Sequence, residues 1–113
     1  MDEGLGVRIF NFVVSVIKFS KTIKYNNENK ILLNQLIKSA TSVGANYEEA
    51  QGASSKADFR NKIKISLKEI RETNYWLKLL RELGIDEKNL AILIDEAEQL
   101  KRILGRITSS SRD

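Results

Sequence analysis

The sequence predicts an all-α protein folded as an antiparallel up-down-up-down four-helix bundle. The chain contains no proline, its apolar residues recur at steps of three and four over long segments, and short links containing Asn, Ser or Gly separate those segments. Its 113 residues suffice for one core without a second lobe. We therefore expect one domain over residues 1–113, with helices at about 7–25, 28–51, 56–83 and 87–108.

The first predicted helix, from Val7 to Tyr25, is apolar over an unusually wide arc. One line of apolar side chains contains Phe10, Val13, Val14 and Ile17, and the other contains Ile9, Phe12, Val16, Phe19 and Ile23. A helix with such a wide apolar arc is usually buried on two sides. We expect one side to enter the core of the monomer and the other to meet a neighbouring subunit. The predicted oligomer interface on this helix consists of Ile9, Phe12, Val16 and Phe19.

The second predicted helix begins after an asparagine cluster. Asn26, Asn27 and Asn29 indicate a turn and an N-cap, and Glu28 lies favourably in the first helical turn. Gly44 lies beside the apolar seam and weakens the helix locally. The seam keeps one stripe facing a packed partner and consists of Leu33, Leu36, Ala40, Val43, Tyr47 and Ala50.

A short link joins the second and third helices. Gly52 is expected to be a left-handed C-cap, and Ser54 or Ser55 can cap the third helix, with Ser55 and Asp58 forming a capping-box-like pair. So short a link forces an antiparallel hairpin. Gly84 is then expected to end the third helix.

The fourth predicted helix is expected to be capped by Asp86 and followed by a fraying tail over 108–113. Its seam consists of Leu90, Leu93, Ala97, Leu100, Leu104 and Ile107.

The third helix has two separate apolar faces. The arc assigned to the core consists of Phe59, Ile63, Ser66, Ile70, Thr73, Leu77 and Leu80. The second apolar face lies nearly opposite and consists of Ile65, Trp76, Leu79 and Leu83. A cluster of this kind on the outside of a monomer indicates an interaction surface, so we expect a homo-oligomer. The alternative is a monomer with an apolar exterior.

Between these two faces, the third helix carries a row of cations that we call the basic stripe. It consists of Lys56, Arg60, Lys64, Lys68, Arg71 and Lys78. With a net charge of +4 and a pI near 9.4, a linear cationic surface favours phosphate backbones. The alternative is a solvated face whose field is partly offset by Glu69 and Glu72. Tyr75 is the one aromatic residue among the cations, which favours phosphate contacts over base stacking.

Polar residues interrupt the seam between the second and third helices. Counting outward from the link places Ser39 near Lys68 and Glu69, Ser42 near Ser66, and Asn46 near Asn61 and Lys62. An unpartnered buried amide or carboxylate costs about 1 to 3 kcal/mol. We therefore expect Asn46 and Glu49 to be hydrogen-bonded across the hairpin or to helix ends. The predicted polar seam consists of Ser42, Asn46, Glu49 and Ser66.

Composition excludes several function classes. The chain has no cysteine and no histidine, which removes thiol nucleophiles, disulfides, zinc fingers and imidazole metal sites. A carboxylate metal site using Glu48 or Glu49 with Glu69 or Glu72 is the weaker alternative to a structural role, since di-iron bundles need histidine. No phosphate-cradling glycine loop or nucleophile-base pair is present. We expect no enzyme activity, cofactor or metal.

The N-terminus lacks a secretory signal pattern, and the apolar run 9–19 is interrupted and too short to cross a bilayer. We therefore expect a cytoplasmic protein without a membrane span.

Two blocks of the sequence carry a resemblance to a known family. They read QLIKSATSVGANYEEAQGASSKADF at Gln35–Phe59 and KISLKEIRETNYWLKLL at Lys64–Leu80. In them the chain resembles the small bacterial four-helix bundle proteins that include the ribosomal-RNA intervening-sequence proteins and, more distantly, the accessory variability determinant of diversity-generating retroelements. It departs from many relatives at Gly44, where many have proline, and at Glu48, where many have a basic residue.

The resemblance implies a four-helix monomer that assembles into a homopentamer, with a basic surface that meets nucleic acid and no enzyme activity. The residues and the resemblance together predict an RNA- or DNA-binding accessory protein. The competing interpretation is a protein-interaction module that docks a nucleic-acid-processing enzyme, such as a reverse transcriptase, without binding nucleic acid itself.

Overall fold

Four α-helices and no strands occur in residues 3–85 and 87–110, the parts of the chain that the computed structural model describes. The helices are α1 (Glu3–Lys21), α2 (Asn27–Gln51), α3 (Lys56–Glu82) and α4 (Glu87–Ser110). Helices α1 and α3 each pack against both α2 and α4, whereas in the described residues the Cα atoms of diagonal helices stay more than 8 Å apart. The body measures 46 × 22 × 20 Å. The predicted four-helix bundle is confirmed.

Helix α1 begins and ends earlier than the sequence predicts. It already includes residues before Val7 and stops at Lys21 rather than Tyr25. The amide and the hydroxyl of Thr22 both donate to the carbonyl oxygen of Phe19, at 2.9 and 2.7 Å, which tightens the last turn. Tyr25 therefore lies in the link to α2 and is 77% exposed.

The two apolar lines of α1 have roles opposite to those predicted. Ile9, Phe12, Val16 and Phe19 are at most 6% exposed and form part of the core of a single chain. Their assignment to an oligomer interface is therefore wrong, because the other helices of the same chain already cover them. The outward line is the one that contains Phe10, which is 67% exposed.

The seams of the other helices are confirmed as core. The buried apolar residues from α2 to α4 include Leu36, Val43, Tyr47, Ile63, Ile70, Leu77, Leu90, Leu100 and Leu104. Phe59, Leu33 and Ile107 are partly buried against them. Burial of these side chains away from water is the main favourable contribution to the fold.

Side-chain caps begin α2 and α3 as predicted. Asn26 Oδ1 accepts a hydrogen bond from the amide of Asn29 at 2.8 Å. At the start of α3, Ser55 Oγ accepts from the amide of Asp58 at 3.0 Å, and the Asp58 carboxylate accepts from the amide of Ser54 at 3.2 Å. Each such cap satisfies an amide that has no partner within the helix.

The C-terminal ends of α2 and α3 differ from each other. Gly52 has φ −104°, so the prediction of a left-handed cap there is wrong. The amide of Ala53 donates to the Ala50 carbonyl at 3.2 Å, and the chain leaves α2 through this tightened turn. Gly84, by contrast, has φ +82°. The amide of Ile85 reaches the Leu80 carbonyl at 3.2 Å, which completes a Schellman motif.

The end of α4 also differs from the prediction. Residues 108–110 continue the helix instead of fraying, and Thr108 Oγ1 donates to the Leu104 carbonyl at 3.0 Å. The predicted cap Asp86 and the rest of the predicted tail, 111–113, lie outside the described residues.

Two glycine substitutions are expected to have opposite effects on stability. Gly84→Ala puts a residue with a Cβ atom at a position whose backbone is left-handed, so it should lower the free energy of unfolding by about 1 kcal/mol. Gly105→Ala adds a Cβ with no neighbour within 4 Å in the interior of α4, and should raise the free energy of unfolding by up to about 1 kcal/mol. Urea titrations followed by circular dichroism measure both changes. A Gly84→Ala variant as stable as the wild type, or more stable, would contradict the cap assignment.

Candidate nucleic-acid interface

Buried hydroxyl groups join α2 to α3 and fix how the two helices align. Ser66 Oγ donates to the Val43 carbonyl at 2.8 Å, and Thr73 Oγ1 hydrogen-bonds to Ser39 Oγ at 2.9 Å. Ser66 thus reaches the region predicted for it. Ser39 meets Thr73 instead of Lys68 or Glu69, about one helical turn further along α3. The alignment positions the outer face of α3, which carries the basic stripe.

The remaining polar seam residues behave differently from one another. The side-chain amide of Asn46 donates to the carbonyl and hydroxyl oxygens of Ser42, at 2.9 and 3.0 Å. The expected bond from Asn46 across the hairpin is therefore wrong, because the side chain finds its partner one turn back in α2. Glu49 does reach α3, with Oε1 3.5 Å from Lys62 Nζ, although its side chain is 63% exposed.

The basic stripe lies on the outside of the bundle. Its members are exposed except for Arg60, which is half-buried. Lys78 Nζ lies 3.0 Å from Glu98 Oε2. In the described parts of the chain, ion pairs are absent from the other exposed members of the stripe, which are Lys56, Lys64, Lys68 and Arg71. These four side chains therefore leave their positive charge open to an outside anion.

Glu98 of α4 contacts the C-terminal end of the basic stripe. Its carboxylate lies 3.0 Å from Lys78 Nζ and 2.9 Å from Lys101 Nζ, and it accepts a hydrogen bond of 2.5 Å from Asn74 Nδ2. These contacts, first with Lys101, then with Lys78 and Asn74, lower the pKa of Glu98 to about 2. Glu98 thus remains ionised at neutral pH and partly offsets the charge at the C-terminal end of the stripe.

Another ion pair, which the sequence analysis did not predict, joins α1 to α4. Arg8 of α1 donates to both carboxylate oxygens of Glu96 in α4, at 2.6 and 2.8 Å, and to Gln99 Oε1 at 2.7 Å. The hydrogen bond to Glu96 raises the pKa of Arg8 above its ordinary value. The pair lies about 88 residues apart in sequence, and therefore only the bundle topology brings it together.

The second apolar face of α3 is only partly open. Ile65 and Leu83 are 39% and 50% exposed, while Trp76 and Leu79 are half-buried. Trp76 packs against the core and its indole N–H donates to Glu72 Oε2 at 3.1 Å. The ring of Tyr75 stands edge-to-face with Trp76, with centroids 5.0 Å apart.

Comparisons with known proteins identify the family of this chain. Residues 7–106 match the 23S rRNA-intervening sequence protein family. The chain belongs to this family. A crystal structure of a protein of unknown function from the S23 ribosomal protein family of Bacteroides thetaiotaomicron is similar to it, with a TM-score of 0.81 and 30% identity. The similarity covers 91% of this chain and 96% of that one. No curated protein matches the chain.

The family blocks coincide with one structural unit. The stretches Gln35–Phe59 and Lys64–Leu80 form most of the α2–α3 hairpin. The descriptions of the family and of the similar structure name no catalytic activity. The family resemblance expected from those blocks is confirmed.

Three of the carboxylates considered for a metal site form other contacts or face solvent. Glu72 accepts from Trp76, Glu49 faces Lys62, and Glu48 is exposed. Within 3–85 and 87–110, carboxylates do not come together in a group of three that could hold a metal ion. In the same ranges, each helix is too short or too polar to cross a membrane.

Removal of the Glu98 carboxylate is expected to loosen α3 from α4. Glu98→Gln should lower the free energy of unfolding by about 1 to 3 kcal/mol at neutral pH. The folded-state pKa is depressed from 4.5 to about 2, so the stabilisation is complete above 4.5 and is lost as pH falls through about 2. Urea titrations between neutral pH and about pH 3 should show the difference between wild type and variant narrowing. The exposed Glu82→Gln is the control; an equal loss in that variant would exclude a specific role for Glu98.

Proposed function

We propose that this protein is a non-enzymatic, cytoplasmic accessory protein that forms a homo-oligomer, a homopentamer by its resemblance to relatives, and binds nucleic acid through phosphate contacts. One observation carries the proposal. Lys64, Lys68 and Arg71 are exposed within two turns of α3, and no described carboxylate forms an ion pair with them.

The shape of the stripe supports a linear polyanion as ligand. From Lys56 to Lys78 the stripe extends about 33 Å along α3 at 1.5 Å per residue. Each phosphate that a lysine or arginine neutralises releases condensed counterions, which favours binding and makes it depend on salt. Contacts of this kind position a backbone without reading its sequence. A ring of subunits would repeat the stripe around its axis and raise the effective concentration of sites.

The positions of the exposed apolar residues support a ring. Phe10 on α1 is 67% exposed and Leu83 beyond α3 is 50% exposed. Among the described residues, α1 and α3 occupy diagonal corners of the bundle, so these two residues belong to separate surfaces of the subunit. A contact between two different patches on identical subunits is heterologous, and such contacts close into rings when the rotation permits.

Charge reversal on the stripe is expected to abolish binding. Fluorescence polarisation with mixed-sequence RNA and DNA should show binding by the wild type that weakens steeply between low and high salt. Lys64→Glu, Lys68→Glu and Arg71→Glu together should remove it while helicity is retained. The matched control reverses the same number of exposed charges elsewhere, at Lys21, Lys24 and Lys30.

Binding that is absent at low salt, or insensitive to salt, would contradict the proposal. So would equal loss of binding in the two triple variants, since net charge alone would then explain it. A protein partner that survives nuclease in a pull-down from the native cell, without oligonucleotide binding, would instead favour the protein-interaction module.

A charge placed at either exposed apolar patch, the one around Phe10 on α1 or the one around Leu83 beyond α3, is expected to dissociate the oligomer. Light scattering should give a multiple of the 12.9 kDa chain mass for the wild type, and close to one chain for Phe10→Glu or Leu83→Glu, because a buried unpaired charge opposes the contact. Ile31→Glu is the control, since Ile31 is 63% exposed on α2 and outside both patches. A wild type that is monomeric, or dissociation by Ile31→Glu alone, would contradict the ring.

A further inference from the structure

Tyr75 lies within the basic stripe. It follows Arg71 by four residues and precedes Lys78 by three, spacings that make side chains neighbours on a helix surface. Lys68 lies two turns before it on nearly the same line. Tyr75 is 58% exposed. A phenol ring, most of it in contact with solvent, is therefore flanked by cations on both sides along the helix.

The ring of Tyr75 is held in place from one side. It meets Trp76 edge-to-face, with an interplanar angle of 73°. Trp76 is itself fixed, because its indole N–H donates to Glu72 and its ring packs against the core. The tyrosine therefore presents an aromatic surface with little conformational freedom left to lose when a ligand binds.

The sequence alone favoured phosphate contacts, because Tyr75 is the one aromatic residue among the cations. The structure adds that its ring is exposed and held by Trp76, a surface that phosphate contacts do not use. Bases of a single strand have open faces that stack on aromatic side chains, whereas a duplex hides those faces in its own stack. We propose that Tyr75 is a stacking platform for an unpaired base, so that the preferred ligand of the stripe is single-stranded nucleic acid. Lys68 and Arg71 would hold the phosphates beside that base. This inference rests on the proposed function.

The test compares probes with and without bases. Fluorescence anisotropy measures binding to labelled oligo(U), oligo(dT) and an abasic deoxyribose-phosphate strand, each of about 12 nucleotides, within the range of known single-strand site sizes. Stacking of about 1 to 3 kcal/mol per base corresponds to a fold-change of about 5 to 150. Tyr75→Ala should lose that factor for the probes with bases and change little for the abasic probe. Emission of Trp76, the single tryptophan, should change only with bases present.

Matched variants separate stacking from bulk and from folding. Tyr75→Phe keeps the ring and should bind like the wild type, whereas Tyr75→Leu keeps apolar volume without the ring and should bind like Tyr75→Ala. Tyr25→Ala removes an even more exposed tyrosine, 77% exposed in the α1–α2 link, and should have no effect. Circular dichroism verifies that each variant retains helicity.

Several results would overturn the inference. They are an equal effect of Tyr75→Ala on all probes, no effect on any probe, a leucine variant that binds like wild type, or a duplex of the same length bound as tightly as the single strand. If the wild type binds every probe equally and with salt dependence, only the stacking role fails. If it binds none, the proposed function fails as well.

Discussion

The alignment of α2 with α3 is the constraint on which the remaining structure depends. Ser66 and Thr73 are fully buried, and the hydroxyl of each hydrogen-bonds to α2: Ser66 to the Val43 carbonyl and Thr73 to the Ser39 hydroxyl. Sliding one helix past the other by a turn would separate Ser66 from the Val43 carbonyl, at a cost of about 1 to 3 kcal/mol for the orphaned hydroxyl. It would also break the bond between Thr73 and Ser39, although each of these keeps a carbonyl partner on its own helix. The hydroxyls thus select one alignment out of several that the apolar side chains alone would permit.

That alignment decides which residues of α3 meet solvent. With the arc of Ile63, Ile70 and Leu77 turned inward, the cations are turned away from α2 and toward the outer edge beside α4. Two acidic residues of α4 hold helices together, since Glu96 and Glu98 bind cations of α1 and α3. The two charges of such a pair cancel, so the net charge of +4 lies on cations outside these pairs. Part of the excess is concentrated where a ligand can reach it.

Helix α3 contributes to the core, to the exposed apolar face and to the basic stripe. Because Tyr75 and Trp76 are consecutive residues, the stripe and the second apolar face meet at an aromatic pair. Trp76 anchors the pair to the core, while Tyr75 faces solvent. A substitution on one face of α3 therefore affects the other face through the Tyr75–Trp76 contact. The effects of substitutions at these neighbouring positions on binding and stability should not be additive.

The sequence by itself determined the bundle, the seams of α2, α3 and α4, the capped starts of α2 and α3, and the position of the stripe on α3. These depend on helical periodicity and on caps within four residues, which short-range patterns record.

Only the tertiary structure decided which apolar line of α1 is buried, that Glu98 binds Lys78, and that Arg8 binds Glu96. The reason is physical. Both lines of α1 consist of large apolar side chains, so the choice between them depends on where the neighbouring helices lie. Partners in α1, α3 and α4 are separated by tens of residues, and no local pattern specifies which of many carboxylates an arginine or lysine will meet.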